Sequence, residues 1–181
     1  MRNSSDNNKI TIDISQGKFD REINNNTGIT FNIYKCKDFK TNPQYKKLSN
    51  ELNHRIKHDK ETGHTLPKNS LDTYYVFTLE RYNSGESEII SYIFSICDTE
   101  KQSIEISYSY TPIEFRKKKL STLLHSLIIE NKNILEKNHG ILNNMVTVPL
   151  TVATENQYKK MFFEQILDYK YPDMKLYKRQ I

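Results

Sequence analysis

The spacing of apolar residues predicts three consecutive strands in the middle of the chain. Residues 72–82 and 87–98 are rich in β-branched and aromatic side chains, and the turn sequence NSGE joins them, which predicts a hairpin. In residues 103–111 every second side chain is apolar, so a third strand with one apolar face is predicted. The residues on that face are Ile104, Ile106, Tyr108 and Tyr110. Because the link between the second and third strands is short, an antiparallel meander is expected.

Three other segments follow the helical period. A helix is predicted over residues 43–58, because Asn42 can serve as its N-cap and proline follows in the first turn. The segment that begins at Leu120 has apolar residues at helical spacing and ends at the NHG sequence, 138–140. Residues 154–167 begin with Thr154 as a plausible N-cap. The apolar face of this last helix is predicted to carry Tyr158, Met161, Phe162 and Ile166.

The order of these elements predicts the fold class. Further strands are predicted over 10–14, 29–39, 144–153 and 174–180. The order is therefore strand, helix, three strands, helix, strand, helix, strand. It is typical of an α/β (α+β) fold, with a mixed, mostly antiparallel central sheet of about six to seven strands flanked by helices. A length of 181 residues suits a single domain over 1–181, and residues 1–9 are expected to be flexible.

Composition and charge add a little to this prediction. The formal net charge is +5, which favours an anionic ligand or partner without choosing between nucleotide, nucleic acid and acidic protein. Cys36 and Cys97 lie far apart in apolar segments and are expected to be buried, reduced thiols. No apolar stretch of about 18 residues predicts a membrane span, and the N-terminal sequence lacks the apolar core of a signal peptide. We therefore expect a cytoplasmic protein, and no metal site, since His54 and His58 have no obvious third ligand.

A run of four cations, Arg116 to Lys119, stands where the third strand gives way to a helix. Cations are unfavourable at a helix start, because that end already carries partial positive charge. Either the run is a solvated charged surface, or an anion docks there. A helix start offers such an anion several backbone N–H groups.

The sequence FRKKKLSTLL, residues 115–124, resembles the acyl-CoA motif of the GNAT family of N-acyltransferases. In that motif an Arg or Gln is followed by two residues, a Gly, one residue, and a Gly or Ala, and then by apolar helix positions. Arg116 matches the leading position, whereas Lys119 and Ser121 stand at the two small-residue positions. The order of elements resembles the GNAT core over about 30–180.

The resemblance implies an enzyme that moves an acetyl group from acetyl-CoA to an amine of a small molecule or protein by direct attack. It implies Glu105 or Glu80 as the general base and the Tyr108 hydroxyl as a candidate acid. It implies a set of cofactor-binding residues along the third strand, the basic run and the last helix: Tyr110, Thr111, Arg116, Lys117, Lys118, Lys119, Leu120, Ser121, Thr122 and Asn156.

The chain departs from the family pattern at a second motif, in which an Asn is followed seven residues later by a Tyr that protonates the departing thiolate. Asn156 fits the first position, but the position seven residues on is Phe163, which has no proton to donate. Two alternatives stay open. One is a GNAT-like protein that binds coenzyme A or a partner without catalysis. The other is a basic nucleic-acid-binding protein, which the charge pattern favours less, because no aromatic residues interleave with dispersed cations.

Overall fold

A computed structural model describes residues 5–6, 9–13, 29–35, 50, 54, 74–83, 86–149, 152–166 and 175–181. In this part of the chain nine strands form one sheet, in the order β1-β2-β3-β4-β5-β6-β7-β9-β8. The strands are β1 (Ser5–Asp6), β2 (Lys9–Asp13), β3 (Ile29–Lys35), β4 (Tyr74–Asn83), β5 (Glu86–Asp98), β6 (Ser103–Tyr110), β7 (Asn144–Thr147), β8 (Glu164–Ile166) and β9 (Leu176–Gln180). The described helices are α1 (Leu120–Glu130), α2 (Lys132–His139) and α3 (Val152–Lys160).

The predicted fold class is confirmed, because helices accompany a mostly antiparallel sheet. Strands β3 to β6 pair antiparallel in sequence order, so the predicted meander of β4, β5 and β6 is present. The parallel pair is β6 with β7. Two short edge strands, β1 and β8, were not predicted and make the sheet wider than expected. The predicted helix over 43–58 lies outside the described residues except for Asn50 and His54, both of which are helical.

The prediction of one apolar face along β6 is wrong, because β6 contains a bulge. Ser95 pairs with Ile106 and Phe94 pairs with Tyr108, which leaves Ser107 as the extra residue. An extra residue reverses the side to which the following side chains point. Ile106 therefore belongs to the core beneath α1, whereas Tyr108 packs with the aromatic residues of the opposite face.

Helix α1 forms as its period predicts, and its apolar side covers one face of the sheet. Leu120, Leu123 and Leu124 are buried against residues of the meander. The helix ends earlier than predicted, because the Asn131 side-chain amide donates a hydrogen bond of 2.8 Å to the Leu127 carbonyl and separates α1 from α2. Gly140 then ends α2 with a φ of 72°, a left-handed value that glycine adopts readily.

The last helix is shifted toward the N-terminus relative to the prediction. β7 ends at Thr147, and α3 runs from Val152 to Lys160 instead of over 154–167. Phe162 has a φ of 63° and leads into β8, so the helix cannot continue. Phe162 is consequently 80% exposed, not buried as predicted, whereas its neighbour Phe163 is 3% exposed.

The two faces of the sheet have different cores. The face under α1 and α3 is largely aliphatic with stacked phenylalanines, and includes Phe31 and Phe77. The opposite face carries a mainly aromatic cluster that we call the aromatic face: Tyr34, Val76, Ile89, Tyr92, Phe94 and Tyr110, with Tyr74 and Tyr108 packed against them. Cys97 is a buried free thiol, and burial raises its pKa to about 12, which makes it unreactive. Cys36 lies outside the described residues.

Candidate active site

The sheet opens between β6 and β7. The two strands pair in parallel only over Ser103–Ile106 and Asn144–Thr147. β7 stops at Thr147, whereas β6 continues to Tyr110. We call the space bordered by the second half of β6, the end of β7, the start of α1 and the second half of α3 the wedge. A narrow, extended molecule that enters here meets strand backbone on one side and two helices on the other.

The basic run forms the turn at the mouth of this wedge. A short 3₁₀ helix, Ile113–Phe115, follows β6, and the next residues turn the chain into α1. Lys117 has a φ of 65° and Lys119 a φ of 56°, so both adopt the left-handed conformation that favours glycine. Turns with left-handed residues form concavities of backbone N–H groups that bind anions. Lys119 thus occupies the motif's first glycine position, and its backbone adopts the left-handed conformation that favours glycine.

The side chains of the run surround this turn. The Arg116 Nε donates a 3.0 Å hydrogen bond to the Thr111 carbonyl, which ties the turn back to the end of β6. The Lys118 Nζ lies 5.5 Å from the centre of the Phe115 ring. Lys117, Lys118 and Lys119 are all exposed at the surface. The start of α1 is therefore strongly positive, and it presents first-turn N–H groups that an α-helix cannot pair internally.

The remaining residues predicted to bind the cofactor occupy several environments. Thr111 lies next to the turn, and its hydroxyl is 2.9 Å from the Ser91 hydroxyl. The Leu120 side chain is in the core, so only its backbone is near the turn. Ser121 and Thr122 are half-buried in the first turn of α1. Tyr110 is buried on the aromatic face, and the Arg116 guanidinium lies 5.8 Å from the centre of its ring.

Helix α3 faces the wedge with Gln157, not with the predicted Asn156. The Gln157 Nε2 donates a 2.9 Å hydrogen bond to the Ser121 hydroxyl, and that hydroxyl lies 3.2 Å from the Ser109 hydroxyl of β6. Asn156 is exposed. The Ser109–Ser121–Gln157 bridge joins β6, α1 and α3. One feature of the sequence could have indicated that Gln157 faces the interior: it stands directly before Tyr158, a residue of the predicted apolar face.

A buried histidine underlies this bridge. His125 is fully buried and its Nδ1 donates to the Ser121 carbonyl at 2.7 Å, so the neutral ring carries its proton on Nδ1. The pKa of His125 is lowered to about 4, mainly by burial and to a smaller extent by the charge of Arg179, whereas the hydrogen bond to Ser121 opposes this lowering. Its ring meets that of Tyr158 edge to face, with 5.5 Å between centroids. No motif or spacing in the sequence had pointed to His125.

Tyr158 places a hydroxyl at the apex of the wedge. Burial raises the pKa of Tyr158, and a hydrogen bond with the Thr147 side chain opposes that rise. Thr147 is the last residue of β7 and pairs with Ile106, the point beyond which β6 and β7 separate. Phe163 packs against the Tyr158 ring at 5.1 Å. In the sequence, Thr151 precedes Tyr158 by seven residues, which is the spacing of the second family motif with threonine in place of asparagine.

The two predicted bases lie in different surroundings. Glu80 is 6% exposed and accepts three hydroxyl hydrogen bonds. The donors are Tyr34 at 2.6 Å, Thr78 at 2.6 Å and Ser87 at 2.7 Å. Glu105 lies in the paired half of β6, opposite Val146, and forms a 2.8 Å ion pair with Lys101.

The third predicted catalytic residue, Tyr108, lies on the aromatic face. Its ring is 6.3 Å from that of Tyr110. The bulge at Ser107 has moved it away from the helices, so it cannot share a face with Ile106 as predicted.

Two other features are absent from the described residues, a metal site and a membrane-spanning helix. Among them no group of three or more His, Cys, Asp and Glu side chains could hold a metal ion. None of the described helices is both long and apolar enough to cross a membrane.

Several solved structures share this fold, and two of those described here carry acetyltransferase names. A Lactobacillus plantarum protein assigned as an N-acetyltransferase superposes with a TM-score of 0.59 at 9% identity, over 85% of this chain and 99% of that one. An acetyltransferase of the GNAT family from Staphylococcus aureus Mu50 gives a TM-score of 0.56 at 15% identity, over 83% of this chain and 98% of that one. The KacTA–DNA complex matches at a TM-score of 0.50 and 14% identity, over 72% of this chain and 79% of that one.

No protein-family model matches the sequence, and no curated protein matches it. At these identities the structural likeness shows the fold alone. The chain has the fold of the GNAT acyl-CoA N-acyltransferases, as the resemblance of residues 115–124 implied.

Proposed function

We propose that this protein is an N-acyltransferase that moves an acetyl group from acetyl-CoA to an amine. The observation that carries the proposal is the left-handed backbone of Lys117 and Lys119 at the start of α1, beside the wedge. The turn follows a path that glycine would normally take, in the place where this fold class would bind its acyl donor. Left-handed lysines at the positive end of a helix are unfavourable by themselves, and a bound anion would offset the unfavourable charge.

The residues at the wedge suit the chemistry of coenzyme A. Its diphosphate is an anion, and the first-turn N–H groups of α1 with the charges of Arg116 to Lys119 supply donors for it. Its pantetheine arm is long and narrow and would lie along the second half of β6. Backbone donors of that strand would polarise the thioester carbonyl.

Two side chains supply the proton transfers. The amine must lose a proton to attack, and we assign that proton to Glu80, through a water or a neighbouring hydroxyl. As the N–C bond forms and the C–S bond breaks, the departing thiolate takes a proton from the Tyr158 hydroxyl at the apex of the wedge. The proton on Glu80 then returns to the Tyr158 phenolate through solvent, which restores both groups. Glu80 is preferred to Glu105 because Glu105 is held by Lys101. Tyr158 is preferred to Tyr108 because Tyr158 borders the wedge, whereas Tyr108 lies on the aromatic face.

A thermal melt with acetyl-CoA tests the proposal. A ligand at about 100 times its dissociation constant stabilises by roughly 2.7 kcal/mol, or about 5 to 11 °C for a chain of this size. The double variant Lys117→Glu/Lys119→Glu should lose that shift. Lys137→Glu/Lys160→Glu makes the same change of charge at two other exposed positions and should keep it.

The melt, combined with a DNA filter-binding assay and an acetyl-transfer assay, separates the competing functions. Absence of a shift for the unaltered protein, together with salt-sensitive retention of a short DNA on a filter, would replace the proposal with nucleic-acid binding. A normal shift without acetyl transfer to any of a panel of amines would indicate a binding protein that has lost catalysis.

A further inference from the structure

Two aromatic rings pack against the ring of Tyr158. His125 meets it edge to face, with 5.5 Å between the ring centroids and 74° between the ring planes. The Phe163 ring is tilted by 57° at a centroid distance of 5.1 Å. Because Tyr158 is buried, these rings and the hydrogen bond with Thr147 decide where its hydroxyl lies.

The backbone of Tyr158 is held by the turn that ends α3. The Met161 and Phe163 amides each donate a 3.0 Å hydrogen bond to the Tyr158 carbonyl. The left-handed Phe162 allows this arrangement, since a left-handed residue after a helix turns the chain back over the last helical turn. The contact of Phe163 with Tyr158 therefore follows from the local backbone. The contact with His125 comes from a different helix, α1.

The ring of His125 is itself fixed on α1. Its Nδ1 donates a 2.7 Å hydrogen bond to the Ser121 carbonyl one turn earlier, which holds the ring in one orientation. His125 is fully buried, and no group among the described residues hydrogen-bonds to its Nε2. A leucine of similar size would fill the space without burying a polar atom. Departures from such local rules are expected mainly at functional sites.

The position of the Tyr158 hydroxyl matters for the proposed chemistry. A proton donor acts only within hydrogen-bond reach of the atom that it protonates. A displacement of about 1 Å at a reacting group can lower a rate about 100-fold. Rotation of the Tyr158 side chain would carry the hydroxyl away from Thr147, and a fixed ring packed against it opposes that rotation.

We propose that His125 is a positioning residue for the proton donor: tied to Ser121, it holds the Tyr158 ring so that the hydroxyl stays at the apex of the wedge. In this role His125 contacts neither acetyl-CoA nor the amine and acts through Tyr158 alone. The proposal rests on the function proposed above, in which Tyr158 protonates the departing thiolate.

Three variants separate the ring of His125 from a general effect on stability. His125→Leu removes the ring, and His125→Phe keeps an aromatic ring at the same place. Leu135→Ala is the control, because it removes a buried side chain from α2, which packs on β5. If His125→Leu does not fold, His125→Asn replaces it, since asparagine keeps an N–H donor and lacks the ring.

Steady-state transfer to an amine that the unaltered protein acetylates gives kcat and KM, and thermal melts report stability. His125→Leu should lower kcat about tenfold or more with KM for acetyl-CoA unchanged, and His125→Phe should recover most of that loss. Leu135→Ala should lower the melting temperature and leave kcat unchanged.

A double-mutant cycle with Tyr158→Phe shows whether His125 acts through the hydroxyl. Without the hydroxyl there is nothing to position, so His125→Leu should then cause no further loss of kcat. Equal losses in the two backgrounds, an unchanged kcat of His125→Leu, or a His125→Phe variant as slow as His125→Leu would each overturn the inference and leave acetyl transfer in place.

The failure of the proposed function has a different result. If Tyr158→Phe keeps the full kcat, Tyr158 is not the acid, and the role of His125 falls with it although the protein remains an acetyltransferase. If the unaltered protein transfers no acetyl group to any amine of the panel, the proposed function falls, and the inference with it.

Discussion

Replacing Lys119 by glycine and by alanine tests whether the basic turn is strained. Both changes remove the same charge and the same side chain beyond Cβ, so their difference isolates the backbone. Lys119 has a φ of 56° and a ψ of 16°. A left-handed conformation costs a residue with a Cβ about 1 to 2 kcal/mol, and glycine avoids this cost but loses about 0.5 to 1 kcal/mol through its freer unfolded chain.

The net expectation is that Lys119→Gly is more stable than Lys119→Ala by about 0.5 to 1 kcal/mol, which corresponds to a melting temperature about 1 to 4 °C higher. Lys137, inside α2, is a control because it is helical and exposed. There the order should reverse, with glycine less stable than alanine by about 1 kcal/mol. The measurement is reversible thermal or urea unfolding of the four variants without ligand. An alanine variant at position 119 as stable as the glycine variant would show that the turn is not strained, and the main support for the proposed donor site would be lost.

Three further predictions concern the site. Glu80→Gln should lower kcat about 100-fold or more with acetyl-CoA affinity kept, whereas Glu105→Gln should change it little; equal losses in steady-state assays would remove Glu80 as the base. Tyr158→Phe should lower kcat and cost about 1 kcal/mol of stability through the lost bond to Thr147, and unchanged turnover would move the acid elsewhere. The pKa of His125 is about 4 in the folded state and near 6.5 in the unfolded state, so the unfolded state binds the proton first as pH falls. The free energy of unfolding should therefore fall by roughly 3 kcal/mol as pH drops from about 6.5 to 4. His125→Leu should flatten that part of the curve in urea titrations at several pH values, and an unchanged slope would contradict the assignment.

Much of the fold could be predicted from the sequence, because its signals are local. The hairpin of β4 and β5 follows from two β-rich runs around a glycine turn, and α1 follows from leucines at helical spacing. Such patterns depend on neighbours a few residues away, which is why they survive into the structure. An anionic ligand at Arg116 to Lys119 stays a prediction, which four adjacent cations suggest without any fold.

The predictions that failed depended on single residues whose effect is not local. Nothing in SIEISYSYT indicates that Ser107 is a bulge, yet this one insertion moves Tyr108 and Tyr110 to the other face. The left-handed turn at Phe162 ended α3 before the apolar period suggested, and so Phe162 became exposed while Phe163 became buried. In both cases the residue adjoins a strand whose pairing, β5 with β6 or β8 with β9, is not visible in the local pattern.

The sequence by itself determined the order of elements, the basic turn before α1 and the presence of carboxylates and tyrosines to choose from. Only the tertiary structure decided which side chains meet at the wedge and how each carboxylate is paired. It selected Gln157 over Asn156 and brought Tyr158 to the end of β7, and it paired Glu105 with Lys101 while surrounding Glu80 with hydroxyls. The physical reason is that a site joins residues far apart in the chain, and their distances depend on strand register and helix packing, which no local pattern encodes.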